Sequence, residues 1–391
     1  MPNSEFDRRA SDLLRQLEES GQKKQFYFVE SPLGPTVRLE AHGEVIVLCS
    51  NNYLGLADHP EVIAAGHAGL EKYGAGTASV RFICGTLKCH RELEQTIARF
   101  VGTPAALSYV SCWNANAAVF PTLAGPDDAV VSDELNHASI IDSVRLVGKT
   151  VGKAVYKHND LNDLEAKLKQ TANKACRWVV TDGVFSMEGD VAPLAEISAL
   201  CQEYQALLVV DDSHGIGVMG KSGRGTPESC GLWGQIDILT GTLGKALGGA
   251  AGGYVAAQPH VIELLQQRGR PSLFSNAVPA TVACSARQAI EIVEREPQRV
   301  TKLHANVRVL RDGFKKLGFD CHDAPTAIIP LMIGDEAEAI RKSKRLLELG
   351  VMVIGFGFPV VPKGTARLRV QVSAALEPQH LEQVLAAFAK L

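Results

Sequence analysis

The chain has 391 residues, of which 46% are hydrophobic and 21% charged, a composition typical of a folded globular protein rather than a disordered or fibrous one. Its 40 basic and 43 acidic residues give a net charge of −3, which excludes the strong positive field of a typical nucleic-acid-binding protein. The polar N-terminal segment and the lack of any run of about 18 apolar residues predict a cytoplasmic protein with no secretory signal and no membrane span.

The nine cysteines are spread from Cys49 to Cys321 and form no CxxC pair. Paired CxxC motifs, or one with matched histidines, would indicate zinc, and a disulfide framework is typical of short secreted chains. We therefore expect reduced thiols and no metal site.

The predicted elements divide the chain into three parts. Residues 1–50 form an N-terminal arm, a charged helix followed by Pro- and Gly-rich segments and short strands. Residues 51–285 form a large domain, whose first helix is delimited by a capping acid at Asp58, an early proline and a terminal glycine. Residues 286–391 alternate longer helical patterns with short strands and predict a smaller C-terminal α/β domain.

In the large domain, short apolar runs alternate with amphipathic stretches. The strand-like runs are AALSYVS, DAVVSD, RWVVTDG, ALLVVDD and IDILTG. This alternation predicts a mostly parallel sheet that is covered by helices on both faces. Because ligands of such sheets gather at the carboxyl ends of the strands, the polar residues that follow each strand are the candidate site.

The segment TGTLGKALGGAAGG, residues 240–253, places Lys245 among small residues directly after an apolar strand. Small neighbours leave room for a planar cofactor, and partial burial lowers the pKa of the amine, as imine formation requires. A glycine-rich turn with a solvated lysine is the alternative for this segment alone. The GxxxxGK[ST] spacing of a nucleotide-binding P-loop is absent.

The segment LLVVDDSHG ends an apolar strand with Asp211 and Asp212, and His214 follows in the turn. A carboxylate there can pair with the pyridinium nitrogen of pyridoxal phosphate (PLP) and keep the ring electron-accepting. His214 is then placed to hydrogen-bond the ring hydroxyl. Two aspartates at a strand end are at least as typical of a turn or a helix cap, so that alternative stays open.

Two other strand ends carry candidate cofactor contacts. SDELNHASIID places His137 between a strand and a helix, where its imidazole can stack on a cofactor ring. SYVSCWNANAAVF starts a helix at Ser111, Cys112 and Trp113, which presents free backbone N–H groups to a phosphate. A structural histidine and a plain helix cap are the alternatives.

Two segments carry candidate substrate contacts. TDGVFSMEGD presents Ser186 on a loop, and ARLRVQVS places Arg367 and Arg369 on one face of a strand. One of these guanidinium groups can bind a substrate carboxylate through two N–H groups. A surface arginine pair is the alternative.

Taken together, a phosphate-binding helix, a histidine, Asp-x-x-His, a lysine and an arginine in this order resemble the fold-type I (aspartate aminotransferase-like) PLP enzymes. More narrowly, the chain resembles the α-oxoamine synthases, from CSNNYLGLADHP at residue 49 to ARLRVQVSAA at residue 375. The resemblance implies an α/β fold with a mostly parallel seven-stranded sheet in a large domain plus a smaller C-terminal α/β domain. It also implies a homodimer with shared active sites.

The resemblance implies roles for particular residues. PLP would be bound covalently to Lys245, and Lys245, His137 and Asp211 would be catalytic. The implied cofactor contacts are Cys112, Trp113, His137, Ser186, Asp211, His214, Thr242, Lys245, Ser275 and Asn276. Of these, Ser275 and Asn276 would reach the phosphate in the partner subunit. The implied substrate contacts are Asn51, His137, Ser186 and Arg369.

Within the family, SNNYLGLADHP, RPSLFSNA and FPVVPKGTARLR resemble the branch that joins glycine to acetyl-CoA and gives 2-amino-3-oxobutanoate and CoA. The reverse reaction would serve threonine breakdown, and association with threonine dehydrogenase is a further hypothesis. The nearest alternative is the branch that joins alanine to pimeloyl-CoA with decarboxylation, the 8-amino-7-oxononanoate synthases. An aminotransferase on the same fold is a wider alternative, and a NAD-dependent dehydrogenase is disfavoured because no suitably placed GxGxxG turn is present.

Overall fold

The computed structural model describes residues 4–20, 22–358 and 360–391. The predicted N-terminal arm is therefore described without residues 1–3 and Gly21, and the segment FPVVPKGTARLR without Pro359. The first elements are helix α1 (Ser4–Glu19) and strands β1 (Thr36–Leu39) and β2 (Gly43–Val47). The two strands form an antiparallel hairpin with a buried face, whereas no residue of α1 is buried.

A seven-stranded sheet forms the centre of the large domain. The elements that follow the hairpin are α2 (Pro60–Tyr73), a π-helical turn (Arg81–Gly85), α3 (Lys88–Val101), β3 (Ala105–Tyr109), α4 (Cys112–Leu123), β4 (Ala129–Asp133), α5 (Ala138–Leu146), β5 (Gly152–Tyr156), α6 (Leu161–Gln170), β6 (Arg177–Asp182), α7 (Leu194–Glu203), β7 (Leu207–Asp211), α8 (Thr226–Ser229), β8 (Ile238–Thr242), β9 (Gly253–Ala257), α9 (Pro259–Arg268), α10 (Arg270–Phe274) and α11 (Ala280–Arg295). The strand order is β3-β9-β8-β7-β6-β4-β5. All neighbours are parallel except that β9 runs antiparallel to β3 and β8, so the predicted mostly parallel seven-stranded sheet is confirmed.

Helices cover both faces of this sheet, which is why its central strands are continuous apolar runs. Every residue of β4 and of β8 is buried. Helices α2 and α11 lie close together because α2 carries Gly66 and Gly69 where they meet. A Cβ at Gly69 would lie 2.8 Å from the Ala280 carbonyl oxygen.

The predicted cap of α2 was wrong by one residue, since the side chain of His59, not Asp58, accepts a hydrogen bond from the Glu61 amide.

The rest of the chain forms a smaller α/β lobe, as predicted. Its elements are α12 (Gln298–Lys316), β10 (Asp320–Cys321), β11 (Ile328–Gly334), α13 (Glu336–Glu348), β12 (Val351–Met352), β13 (Ile354–Phe356), β14 (Ala366–Gln371) and α14 (Pro378–Phe388). Four of these strands form an antiparallel sheet in the order β10-β11-β14-β13. Strand β12 pairs instead with β2, so the N-terminal hairpin is hydrogen-bonded to this lobe.

The predicted domain boundaries after residues 50 and 285 stay predictions, and residue 286 lies within α11. Of the described helices, none is long and apolar enough to cross a membrane.

Candidate active site

A cavity of about 210 Å³ lies at the carboxyl ends of β4, β6, β7 and β8. The predicted site residues that line it are Cys112, Trp113, His137, Ser186, Asp211, His214, Thr242 and Lys245. The lining residues that the sequence analysis did not identify are Ser139, Asp182, Val184 and Ser213. These four lie close in sequence to predicted residues at the same strand ends, because each strand delivers a short polar segment to the cavity rather than a single side chain.

Lys245 lies three residues after β8, and its Nζ is 2.7 Å from Nε2 of His214. Desolvation lowers the pKa of the amine to about 8, against the opposing effect of the Asp211 carboxylate. Desolvation and the Lys245 charge also lower the pKa of His214 well below its usual value, so its imidazole is neutral. The lysine therefore provides an amine that loses its proton at mildly basic pH, as imine chemistry requires.

The two aspartates at the carboxyl end of β7 have different partners. Asp211 faces the cavity, where its carboxylate accepts from Asn116 Nδ2 at 2.6 Å and from the Ser213 amide at 2.9 Å. Asp212 points away and accepts from the Thr226 amide and hydroxyl, at 2.9 and 2.5 Å. Burial raises the pKa of Asp212 to about 7. The alternative of a structural aspartate thus describes Asp212, while Asp211 is free to contact a ligand.

Asn116, on α4, holds Asp211 in place and was not identified from the sequence. Its Oδ1 accepts from the Thr240 hydroxyl at 2.7 Å, which turns Nδ2 toward Asp211 and the Ser139 hydroxyl. An asparagine inside NANAA gives no signal of this role, because its partners lie on distant segments of the chain.

His137 caps α5 and lines the cavity. Its Nδ1 lies 2.8 Å from the Ser139 hydroxyl, and its ring meets the Trp113 ring edge-to-face with 5.9 Å between centroids. Burial lowers the pKa of His137, against the effect of Asp211. A neutral imidazole whose Nδ1 is held by Ser139 can present a face to a planar ligand.

The N-terminus of α4 points its first amides into the site. The Ser111 hydroxyl accepts from the Asn114 amide, which leaves the amides of Cys112 and Trp113 without an intrahelical partner. Strand β9 begins unusually close, since a Cβ at Gly253 would lie 2.3 Å from the Cys112 nitrogen. Burial followed by the Asp211 charge raises the pKa of the Cys112 thiol well above its usual value, so it stays protonated.

Arg367 and Arg369 of β14 have different environments. Arg367 donates to the Met187 carbonyl and to Glu188. Arg369 is 7% exposed and donates through Nη1 to Gln371 Oε1, whereas its Nε and Nη2 have no partner in the described part of the chain. Two buried N–H donors on one guanidinium favour an anionic ligand.

Four predicted site residues do not line the cavity within one chain, namely Asn51, Arg369, Ser275 and Asn276. Asn51 lies outside the cavity lining, and its Oδ1 accepts a hydrogen bond from Gln371 Nε2 at 2.6 Å. Ser275 and Asn276 follow α10, where Asn276 forms an isolated bridge with Val80. Contacts of these two residues with the phosphate of a partner subunit stay a prediction.

The residues present fit PLP. An anion-binding helix start, a desolvated amine and a fixed carboxylate lie on the walls of one cavity, and these match the phosphate, the aldehyde and the ring nitrogen of the cofactor. Within the described residues, no group of three or more His, Cys, Asp or Glu side chains is arranged to hold a metal ion.

The architecture is that of a fold-type I PLP-dependent transferase. The chain belongs to the aminotransferase class I and II family, whose model matches residues 43–388. It is 44% identical to 2-amino-3-ketobutyrate coenzyme A ligase of Escherichia coli (strain K12), over 99% of this chain and 97% of the relative. It is 45% identical to 8-amino-7-oxononanoate synthase of Symbiobacterium thermophilum, over 97% of this chain and 96% of the relative. A solved structure of SPT with its PLP internal aldimine matches with a TM-score of 0.93 and 32% identity, over 100% of this chain and 98% of that one.

Proposed function

We propose that the protein is a PLP-dependent glycine C-acetyltransferase, which joins glycine to acetyl-CoA and releases CoA. The observation that carries the proposal is the desolvated Lys245 amine, which shares a cavity with the Asp211 carboxylate. The relative named 2-amino-3-ketobutyrate coenzyme A ligase supports this choice of substrates. Run in reverse with CoA, the same site cleaves 2-amino-3-oxobutanoate, a step of threonine breakdown.

Each part of the cofactor has a protein group to hold it. Lys245 would hold the aldehyde carbon, and Asp211 would hold the ring nitrogen. The amides of Cys112 and Trp113, together with Thr242, would hold the phosphate. The other residues that would contact the ring are His137 and His214.

Bound PLP supplies an electron-accepting ring that stabilises negative charge on the glycine Cα. Asp211 keeps the ring nitrogen protonated, and Asn116 keeps Asp211 in place. Lys245, whose amine would be released from the cofactor when glycine binds in its place, would then take the Cα proton. The Cα then forms a bond to the acetyl carbon, the carbon–sulfur bond breaks, and the CoA sulfur leaves with its electron pair and gains a proton.

The substrate carboxylate lies against Arg369, whose Nε and Nη2 provide two unused N–H donors. Asn51 and Ser186 complete this contact. Fixing the carboxylate orients the glycine Cα–H bond toward Lys245 and so favours proton removal over side reactions.

The homodimer is part of the proposal. An exposed apolar group lies beside the predicted intersubunit residues, and its members Phe82, Ile83 and Phe274 are 66%, 68% and 74% exposed. The bridge between Val80 and Asn276 holds the two segments of this group together. A second copy of the chain would cover it and bring the partner's phosphate site to Ser275 and Asn276. Association with threonine dehydrogenase is also proposed, from the family resemblance alone, and the cytoplasmic location predicted in the sequence analysis stays a proposal.

The test is an assay of CoA thiol release from acetyl-CoA with glycine, using protein saturated with PLP. Glycine-dependent thiol release without carbon dioxide is the expected result, and Lys245→Ala should abolish it. Light scattering of the same preparation should give twice the 41.9 kDa chain mass. Failure of glycine to support any thiol release would contradict the proposal.

The second candidate is 8-amino-7-oxononanoate synthase, which the 45% identity to the relative of that name supports. That enzyme would use alanine and pimeloyl-CoA and release carbon dioxide. Comparing kcat/KM for the two substrate pairs, with carbon dioxide measured in each, distinguishes the candidates. A higher kcat/KM for alanine and pimeloyl-CoA would favour the second.

A further inference from the structure

A chain of side-chain hydrogen bonds begins at Arg369 and ends at Lys245. Arg369 Nη1 donates to Gln371 Oε1 at 3.2 Å. Because a guanidinium has donors only, the Gln371 amide must face Arg369 with its oxygen and turn its nitrogen away. That nitrogen then donates to Asn51 Oδ1 at 2.6 Å and to the Tyr53 hydroxyl at 2.9 Å.

The Tyr53 hydroxyl, which accepts from Gln371, is left with one hydrogen to donate. Nδ1 of His214 lies 2.9 Å away and is its acceptor. If Nδ1 carried a proton instead, the hydroxyl hydrogen of Tyr53, a side chain only 1% exposed, would be buried without a partner. Desolvation also raises the pKa of Tyr53, so the phenol keeps its proton.

We propose that Tyr53 and Gln371 are positioning residues that fix His214 as the tautomer protonated on Nε2, with that N–H directed at the Lys245 nitrogen. Nε2 lies 2.7 Å from Lys245 Nζ. An ammonium group has no lone pair, so only the neutral amine can accept this hydrogen bond. All donors and acceptors along the chain are therefore satisfied together only when Lys245 is uncharged.

Other charged or titratable groups also act on this pair. Those that face Lys245 or His214 from the neighbouring elements are Cys112, His137, Asp182, Asp211 and Arg369. Asp211 favours the charged lysine and Arg369 opposes it. The Nε2–H of His214 donates a hydrogen bond that only the neutral form of Lys245 can accept. The same N–H faces the cavity that the proposed cofactor would fill.

The tautomer can be observed directly by ¹⁵N NMR of full-length protein labelled with ¹⁵N-histidine, with the His214 signals assigned by their loss in His214→Gln. The expected spectrum shows Nε2 protonated and Nδ1 unprotonated. Gln371→Glu replaces the donor with an acceptor of the same size, so Tyr53 should donate to it and His214 should change to the Nδ1-protonated form. A protonated Nδ1 in the wild type, or an unchanged tautomer in Gln371→Glu, would overturn the proposal.

The second readout is a pH titration of the visible absorbance of the PLP-loaded protein. In Tyr53→Phe, the pKa of the Lys245 nitrogen, which is bonded to the cofactor in this protein, should rise by about one unit. The uncharged nitrogen alone accepts the His214 N–H, and about one unit is the size of one lost hydrogen bond between neutral groups. Tyr254→Phe is the matched control, because Tyr254 is fully buried and its hydroxyl has no partner in the described residues. An unshifted Tyr53→Phe, or an equal shift in the control, would refute the proposal. Since this readout rests on the proposed cofactor, a wild type without PLP absorbance would contradict the proposed function, whereas the NMR test does not depend on PLP.

Discussion

Replacing His158 with glutamine should destabilise the protein most at low pH and progressively less toward pH 10. His158 Nδ1 lies 3.1 Å from Asp133 and Nε2 lies 2.7 Å from Asp190, and the side chain is 18% exposed. Burial alone would lower the pKa of His158, but the hydrogen bonds and charges of the two carboxylates outweigh it and raise the pKa to about 10.

The size and the pH dependence of the stability loss follow from this pKa shift. One pKa unit corresponds to about 1.4 kcal/mol, so a rise from 6.5 to about 10 sets a ceiling of about 5 kcal/mol on the contribution of the charged histidine. A raised pKa means that this contribution is complete below pH 6.5 and is lost as pH approaches 10. Breaking a buried pair costs about 3–5 kcal/mol, which agrees in magnitude.

The assay is urea unfolding of wild type and His158→Gln at several pH values between these limits, followed by tryptophan fluorescence. Urea is preferred because guanidinium is a salt and would screen the charges. The control repeats the substitution in an Asp190→Asn background, where the pH dependence of the difference should be smaller. A stability difference that is constant, or that grows with pH, would refute the reasoning.

Three further substitutions test the site. Lys245→Ala should leave the fold intact but remove the absorbance band of the lysine imine, at about 420 nm, and lower kcat by at least about 10²-fold, as loss of a general base does; absorbance and steady-state kinetics measure these. Gly253→Ala should weaken PLP binding by about 10-fold or more, because the new Cβ would displace the Cys112 amide that the phosphate needs; fluorescence titration with PLP measures this. Arg369→Lys should raise the glycine KM by about 10-fold with little change in Tm, because an ammonium cannot give two parallel N–H bonds; a Tm loss without a KM change would contradict this role.

The central sheet was predictable because its strands are buried on both faces. The run LLVV in β7 is apolar, and the polar residues that end or follow such runs mark the cavity. The pairing of β2 with β12 was not predictable, since β12 has two residues and no periodicity, and its partner lies about 300 residues earlier. Tertiary packing, not local sequence, decides such a pairing.

In the candidate site, too, local sequence predicted some residues, whereas others depend on tertiary packing. Asp211 ends a strand and Lys245 follows one, so their position in a parallel sheet indicates a ligand. Asn116, Tyr53 and Gln371 were missed because their roles depend on partners from distant segments. Gln371 lies inside the run ARLRVQVS, in which polar and apolar residues alternate. In the sequence it is therefore indistinguishable from any polar residue of a strand that has one polar face.

Strand β14 supplies the physical reason why Arg369 has unused donors. Arg367, Arg369 and Gln371 alternate along the strand and so lie on one face. At one end, Arg367 is held by the loop that carries Ser186, and at the other, Gln371 is held by Asn51 and the Tyr53 hydroxyl. Contacts at both ends anchor the strand, and they place the Arg369 guanidinium where its Nε and Nη2 have no hydrogen-bond partner among the described residues. A buried cation with two unsatisfied donors is costly without an anion, and a substrate carboxylate that relieves this cost is bound where the strand already holds the arginine.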